Sequence, residues 1–442
     1  MGKINIESRS KKQKYTCTDE KITKNTYLLL LSPSEDMKKD KIKVIWIYFY
    51  KDDSQQLKSY SVLMAFEDPS QEGVGKEWKL MSSDEFIEKV RALACFLRDI
   101  QNTNKPMIQK GDRVVFLIYN GPEWHIVRMA CTRIGAISVP ILTETSTHDL
   151  EIILKKSKPK IIIVKDKVQE KKVHEALRAL DMNIPVFFYT VRTAFPETAL
   201  INWHESLSPD ELAMIFFTSG TTSDPKGVMH THRSLLSNVG ACRLMFPVGP
   251  DDIMLSFLPI SHIFQQAVDT LALQVGASIV YVEDPRQVVT ALPDIQPTIM
   301  ASFPRMFEII TAMVPRRVRD KLKHEGKIRK MLVPFAMNMG EKQYSSSPLD
   351  RFFASVTNPL LRRIRKKVRE QIFGPRLKFF VSGGAPLTPE VGAFMQGALE
   401  LPIYQGWGMT EIAGAGTCNT PKLNVLGSCG KPLPGTEIQL RR

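Results

Sequence analysis

Residues 214–228, MIFFTSGTTSDPKGV, limit most narrowly what this chain can fold into. Met214, Ile215, Phe216 and Phe217 form a short apolar run of the kind that makes a buried strand. The chain then turns at once to hydroxyls, glycine, proline and lysine. Ser219, Thr221, Thr222 and Ser223 offer hydroxyl donors, and Gly220 lets the backbone approach a bulky anion closely. Backbone N–H groups in such a turn make a concave anion site, with Lys226 as a mobile positive charge. A triphosphate suits that donor set. The spacing is not that of a Walker loop, which needs Gly-x-x-x-x-Gly-Lys followed by Ser or Thr. On composition alone, a polar surface loop after a strand is the competing reading.

At 442 residues the chain is long enough for two or more domains, or one large multilayer domain. The formal net charge of +14 favours anionic partners: nucleotides, CoA, acidic membrane surfaces or nucleic acid. The six cysteines are Cys17, Cys95, Cys131, Cys242, Cys418 and Cys429. They are scattered without paired metal-ligand spacing, which suits a reduced, cytosol-facing compartment. No secretory signal is evident, and the apolar runs 27–31 and 44–50 are too short to span a bilayer. Ile6 stands where myristoylation of Gly2 would want serine or threonine. The expectation is a cytoplasmic chain, soluble or peripheral on the cytoplasmic face of a membrane.

Residues 1–51 are lysine-rich with few turn landmarks and read as a tail or a poorly ordered addition. Ser82 with Glu85 makes a capping box, and Met81 can staple against Phe86. In the helix that follows, Phe86, Val90, Leu93 and Leu97 share a core-facing stripe. Beyond a turn at 110–113, strands are expected at 114–118, 135–140 and 160–164, with helices at 124–134 and 150–154 between them. Helices alternating with short branched-residue strands argue for parallel β units covered on both faces.

Residues 254–264 are an apolar run ending in proline, serine and histidine, which delivers His262 to a loop or helix start. Taken alone, such a histidine is more often a satisfied structural group. Between 315 and 378 lies the densest basic charge. There Leu361, Ile364, Val368 and Ile372 fall at helical spacing among arginines and lysines. That pattern fits a helix lying on an anionic membrane, or a solvated face over an ordinary core stripe. Few aromatic or base-reading side chains accompany the charge, so nucleic acid is not expected. Residues 379–387, FFVSGGAPL, read as a strand breaking into a glycine turn, with Thr388 capping the next helix. In residues 404–411, YQGWGMTE, glycines flank Trp407 and leave one face of the ring open for stacking. Thr410 there offers a hydroxyl to phosphate, and Glu411 a hard oxygen to Mg²⁺.

The order of these motifs carries a resemblance. SGTTSDPKG at 219–227 closely resembles the phosphate-binding signature of the adenylate-forming superfamily, which includes acyl-CoA synthetases, firefly luciferases and amino-acid-activating domains. Ser223 departs from it, standing where that family usually has glycine. YQGWGMTE and GSCGKPLPG at 427–435 match its second and third motifs. The resemblance runs from about residue 78 to the end.

It implies an α/β fold, the large N-terminal domain of that family, with parallel sheets sandwiched by helices. That domain would occupy 56–442, after a divergent basic segment 1–55. It further implies ATP, Mg²⁺ and CoA, and a two-step reaction through an acyl-adenylate. Thr218, Ser219, Gly220, Thr221, Thr222 and Lys226 would hold the phosphates, while Gly383, Gly384 and Ala385 would line the adenine side. Gly406, Trp407, Gly408 and Thr410 would complete the nucleotide site. Lys226, His262, Thr410 and Glu411 would be catalytic, with Glu411 and Thr222 at the metal.

Amino-acid-activating relatives place an aspartate just after the phenylalanine that matches Phe264. Here Gln265 and Gln266 follow, and no carboxylate comes before Asp269. A buried ammonium without a partner would be costly. That argues against an amino-acid substrate. The basic insert resembles the long-chain fatty-acid branch, so a long-chain fatty acid is the expected substrate. A medium-chain or aromatic acid and a non-catalytic nucleotide- or acyl-binding relative remain the alternatives. The family's hinge and small mobile domain would lie beyond residue 442, and this chain without them is expected to have weak full turnover.

Overall fold

A computed structural model describes residues 26–31, 44–48, 64–67, 78–98, 108–189, 207–218 and 224–439. The chain divides into two compact units, residues 1–59 and 60–442. In the first, β1 (Thr26–Leu31) pairs antiparallel with β2 (Val44–Tyr48), a hairpin where the sequence suggests only a tail.

The second unit opens with an antiparallel pair, β3 (Met64–Glu67) and β4 (Trp78–Met81). Helix α1 (Ser83–Arg98) starts where the capping box predicts, with the Glu85 N–H donating to Ser82 Oγ at 3.1 Å. Phe86, Val90, Leu93 and Leu97 are all buried on it. There follow β5 (Arg113–Leu117), α2 (Pro122–Arg133), β6 (Ile137–Pro140), α3 (Thr147–Ser157), β7 (Ile161–Val164), α4 (Lys167–Ala179) and β8 (Val186–Phe188). Then β9 (Leu212–Thr218) and β10 (Lys226–Thr231) form an antiparallel hairpin. Together these strands make a six-stranded sheet in the order β10-β9-β6-β5-β7-β8. Its branched residues Val115, Val139 and Ile162 pack under Leu150 and Leu154 of α3 and Val173 and Leu177 of α4.

After β10 come α5 (His232–Met245), β11 (Ile253–Ser256), α6 (Ile263–Val275), β12 (Ser278–Tyr281), α7 (Val288–Ile295), β13 (Ile299–Ser302), α8 (Pro304–Leu322), α9 (Lys327–Lys342) and α10 (Pro348–Phe373). The chain ends with β14 (Phe379–Ser382), α11 (Pro389–Ala393), β15 (Ile403–Met409), β16 (Gly414–Cys418) and β17 (Lys431–Pro432). These strands join β3 and β4 in a nine-stranded sheet, β17-β16-β15-β14-β13-β11-β12-β3-β4, parallel from β15 to β3 and antiparallel at both margins. Helix α2 lies between the two sheets: Trp124 meets Phe116 of β5, and His125 meets Tyr281 of β12. The expectation of parallel units covered on both faces therefore holds.

Pleating decides what the larger sheet shows to each side. In register, Met254, Ile299 and Phe379 lie side by side, as do Ala301 and Val381. Their neighbours Leu255, Met300 and Phe380 point the other way, into a core closed by Phe307, Val368 and Ile372 of α8 and α10. The buried Val368 and Ile372, with Leu361 against α9, favour the second reading of this helix, a solvated face over a core stripe. The apolar stripe of the basic helix is core and is not free to face a membrane. Thr388 sits at the N-cap of α11, but its hydroxyl accepts no capping bond; Gly392 N–H bonds its carbonyl instead.

Candidate functional site

On the face of the nine-stranded sheet turned toward α5 and α6 lies a cavity of about 330 Å³. Its floor is the alternate set Met254, Ile299, Ala301, Phe379 and Val381, and its walls include Cys242 of α5, Phe246 just after it, and Val268 and Leu271 of α6. All of these are apolar or weakly polar. The polar groups gather at one set of segments: His262 at the start of α6, Ser382 and Gly383–Gly384 at the end of β14, and Trp407 through Glu411 at the end of β15. Carboxyl ends of parallel strands are the usual ligand-binding edge of such a sheet.

Each polar group is held by local geometry. His262 is the N-cap of α6, and its Nδ1 accepts the Phe264 N–H at 3.2 Å. That bond leaves the proton of the neutral imidazole on Nε2, which makes the ring a donor. Burial pushes the His262 pKa below its ordinary value, so the ring is neutral at pH 7. The Phe303 ring meets it edge-on at 5.6 Å. Ser382 is fully buried, and among the described residues its Oγ has no hydrogen-bond partner. The residue itself is among those that line the cavity.

Residues 403–409 form the strand β15, against which β16 runs back antiparallel. A Cβ on Gly406 would lie 2.9 Å from the Thr417 carbonyl oxygen, so the glycine is fixed by this neighbour as much as by any ligand. Trp407 is 47% exposed. One side of its ring rests on Gly416, where a Cβ would come within 2.7 Å of Cζ3. The indole thus has backing, with open area left for a second flat ring. Thr410 opens a single 3-10 turn, Thr410–Ile412, that carries Glu411 to the cavity wall.

Two residues that hold this turn carried no signal in the sequence. His230 of β10 contacts the Thr410 carbonyl through Nε2 at 2.7 Å, and its Nδ1 faces Ser234 Oγ at 3.2 Å. Asn238 of α5 donates to the Ala415 carbonyl at 2.7 Å and accepts from the Ala415 N–H at 3.3 Å. A side chain that bonds a backbone group some 180 residues away leaves no local pattern to read.

The phosphate loop is only partly visible. Ser219, Gly220, Thr221, Thr222 and Ser223 lie outside the described residues. Lys226 does not sit in a loop: it is the exposed first residue of β10, paired with Thr218 across the hairpin. Antiparallel pairing claims its backbone, and among the described residues its ammonium has no ion-pair partner. Neither Lys226 nor Thr218 is among the cavity-lining residues, and Ala385 is exposed and outside the lining too. The hairpin base nevertheless abuts the Thr410 turn through His230. Asp269, the first carboxylate after Phe264, is fully buried and committed elsewhere: it accepts from Ser256 and Gln265 at 2.8 and 2.6 Å and faces His125 at 3.0 Å. It is not among the cavity-lining residues.

Comparison with known proteins gives consistent results. A family model described as AMP-binding enzyme matches residues 60–441. Fatty acyl-CoA synthetase A of Dictyostelium discoideum is 27% identical over 357 residues, 75% of this chain and 51% of that protein. Long-chain-fatty-acid–CoA ligase 1 of Homo sapiens is 27% identical over 371 residues, 76% of this chain and 51% of its own length. The chain thus spans about half the length of these curated relatives. Among solved structures, an inhibitor-bound N-terminal domain of FACL13 from Mycobacterium tuberculosis superposes with TM-score 0.59 at 20% identity, over 84% of this chain and 79% of that one. A benzoate CoA ligase from Burkholderia xenovorans LB400 gives 0.61 at 18% identity, over 85% of this chain and 64% of that one. At such identities the likeness is one of fold.

Proposed function

Because the chain belongs to the AMP-binding enzymes, we propose that it binds ATP and a long-chain fatty acid and supports attack of the carboxylate on the α-phosphorus. The product is an acyl-adenylate with release of pyrophosphate; the thiol of CoA then displaces AMP in the complete reaction. The observation that carries this reading is the cavity's division into an apolar body and a polar end. An amphiphile with one polar head and a hydrocarbon tail matches that division. The long-chain names of the curated relatives agree with it.

In this reading Trp407, backed by Gly416, stacks on adenine, and Gly383 and Gly384 let the ring lie close to backbone. The His262 Nε2–H donates to the acyl carboxylate. Lys226 and the loop it borders engage the outer phosphates. Thr410 meets the phosphate undergoing substitution. Activation to a mixed anhydride supplies a good leaving group, and the protein contributes mainly position and charge neutralisation. Among the described residues no three metal-ligating side chains cluster, but Mg²⁺ on a nucleotide needs few protein carboxylates, so Glu411 alone fits. Bound Mg²⁺ would neutralise charge on the phosphates. The commitment of Asp269 to Ser256, Gln265 and His125 supports an acid without an ammonium group.

The test is calorimetric binding of non-hydrolysable acyl-adenylate analogues carrying palmitoyl, acetyl or benzoyl groups. The expected order is palmitoyl tightest, with affinity falling about tenfold or more in Trp407→Ala through lost stacking. Absence of binding by every analogue would overturn the reading. Tighter binding of the benzoyl analogue would replace the fatty acid by an aromatic one.

A further inference from the structure

Helix α10 is apolar on two sides. Ala354, Leu361, Val368 and Ile372 pack into the protein. On another face Leu349, Phe352, Phe353, Val356 and Leu360 recur at helical spacing and are 57% to 81% exposed. The Phe352 and Phe353 rings meet edge to face at 5.9 Å, so the two aromatics form one raised surface. The adjoining helix α9 packs on α10 through Ala336, Met339 and Leu361. Its own exposed apolar residues Ile328, Met331 and Phe335, also at helical spacing, lie toward the other end of the hairpin, since Ala336 is level with Arg365 and Gln343 with Asn358. A helix needs only one apolar stripe to dock on its own protein. On α10 alone this exposed apolar stripe runs for about three helical turns, and such a stripe marks a contact with something else.

The charge around it says what. Residues 316–369 hold sixteen lysines and arginines against four carboxylates. Of those four, Asp320, Glu325 and Asp350 are engaged by Lys323, Arg329 and Lys342. Arg351, Arg362, Arg363, Lys366 and Lys367 on α10 and Lys327 and Lys330 on α9 are exposed. Hydrocarbon at the centre and anions at the margin is the composition of an acidic bilayer surface.

We propose that the α9–α10 hairpin is the face by which this protein docks on an anionic lipid bilayer. Phe352, Phe353, Val356 and Leu360 enter the boundary between headgroups and acyl chains, and the flanking lysines and arginines meet the headgroups. This assignment is independent of the cavity and of the carboxylate-activating reading, since none of these residues lines the cavity.

Vesicle flotation tests it, with phosphatidylcholine alone and with phosphatidylcholine containing about one third phosphatidylserine. The protein is expected to float with the anionic vesicles, less so in high salt, and poorly with the neutral ones. Phe352→Asp with Leu360→Asp should reduce the vesicle-bound fraction about tenfold or more, by removing the buried apolar contact. Phe352→Ser with Leu360→Ser provides a milder second pair, and circular dichroism reports whether either pair keeps its fold. No flotation with anionic vesicles, or flotation unchanged in a folded variant, overturns the proposal. Concentration-dependent dimerisation abolished by the same substitutions, without vesicle binding, would assign the face to a second copy of the chain and overturn it equally.

Discussion

The His230 imidazole lies 2.7 Å, through Nε2, from the carbonyl oxygen of Thr410, and so ties the base of the phosphate-loop hairpin to the turn that presents Glu411. His230 is 3% exposed, and burial holds its pKa below the ordinary value. The ring is therefore neutral at pH 7, with Nε2–H as the donor to the carbonyl. Two stretches that would each engage the same nucleotide are thereby fixed relative to one another.

His230→Ala removes that donor and leaves the Thr410 carbonyl unpaired, a cost of about 1–3 kcal/mol. Calorimetry is expected to show affinity for the palmitoyl-adenylate analogue reduced about tenfold. His230→Gln, which keeps an N–H donor, should recover part of the loss. Equal affinity in the alanine variant and the parent would show that the turn holds itself.

Gly416 supports Trp407 from behind. A Cβ there would sit 2.7 Å from the indole Cζ3 and 2.9 Å from Ile412 Cδ1, so Gly416→Val must tilt the ring. Its effect on analogue binding should match that of Trp407→Ala, about 1–3 kcal/mol for a stacked base. Because both changes act on one contact, the double variant should bind no worse than either single one. Additive losses would separate Gly416 from the indole.

Asp269 sits at the centre of a buried network, accepting from Ser256 and Gln265 and facing His125, with all four side chains buried. Arg128 lies near enough for its charge to be coupled to Asp269. Asp269→Ala leaves that cation and several donors uncompensated, so urea unfolding is expected to register a loss of about 3 kcal/mol or more. Asp269→Asn, which keeps an acceptor, should cost less. A loss below about 1 kcal/mol in the alanine variant would mean that water or rearrangement compensates the network.

Burial holds four histidines below their ordinary pKa: His125, His230, His262 and His232, the last at about 4. On unfolding each regains a pKa near 6.5, so the unfolded chain binds more protons than the native one below that pH. The stability they contribute is complete above about pH 6.5 and is lost as pH falls below it through each lowered folded pKa, which for His232 is about 4. Scanning calorimetry from pH 7 to pH 5 should show the melting temperature falling. A melting temperature that stays level or rises over that window would mean that these rings are protonated in the native state.

Much of the site could be read locally. The apolar run before the phosphate loop does become β9, the Ser82 hydroxyl does cap α1, and His262 does begin a helix at the cavity wall. Each of these depends on residues within a few positions of one another. Lys226 was misplaced because its conformation is set by Thr218 across the hairpin, eight residues earlier. His230, Asn238 and Gly416 went unseen because their importance lies in partners brought near only by the sheet order.

The amino-acid sequence by itself determined the alternation of strand and helix, the order of the three motifs, and the fact that α10 is amphipathic. Spacing determines those, because a side chain's face follows from the helical or pleated period alone. Which face meets protein and which meets solvent was decided by the tertiary structure. In α10 the stripe Leu361–Val368–Ile372 went to the core and the stripe Phe352–Val356–Leu360 to the surface. The two look alike in sequence, and they differ because the nine-stranded sheet and the helices over it offer apolar surface on one side only.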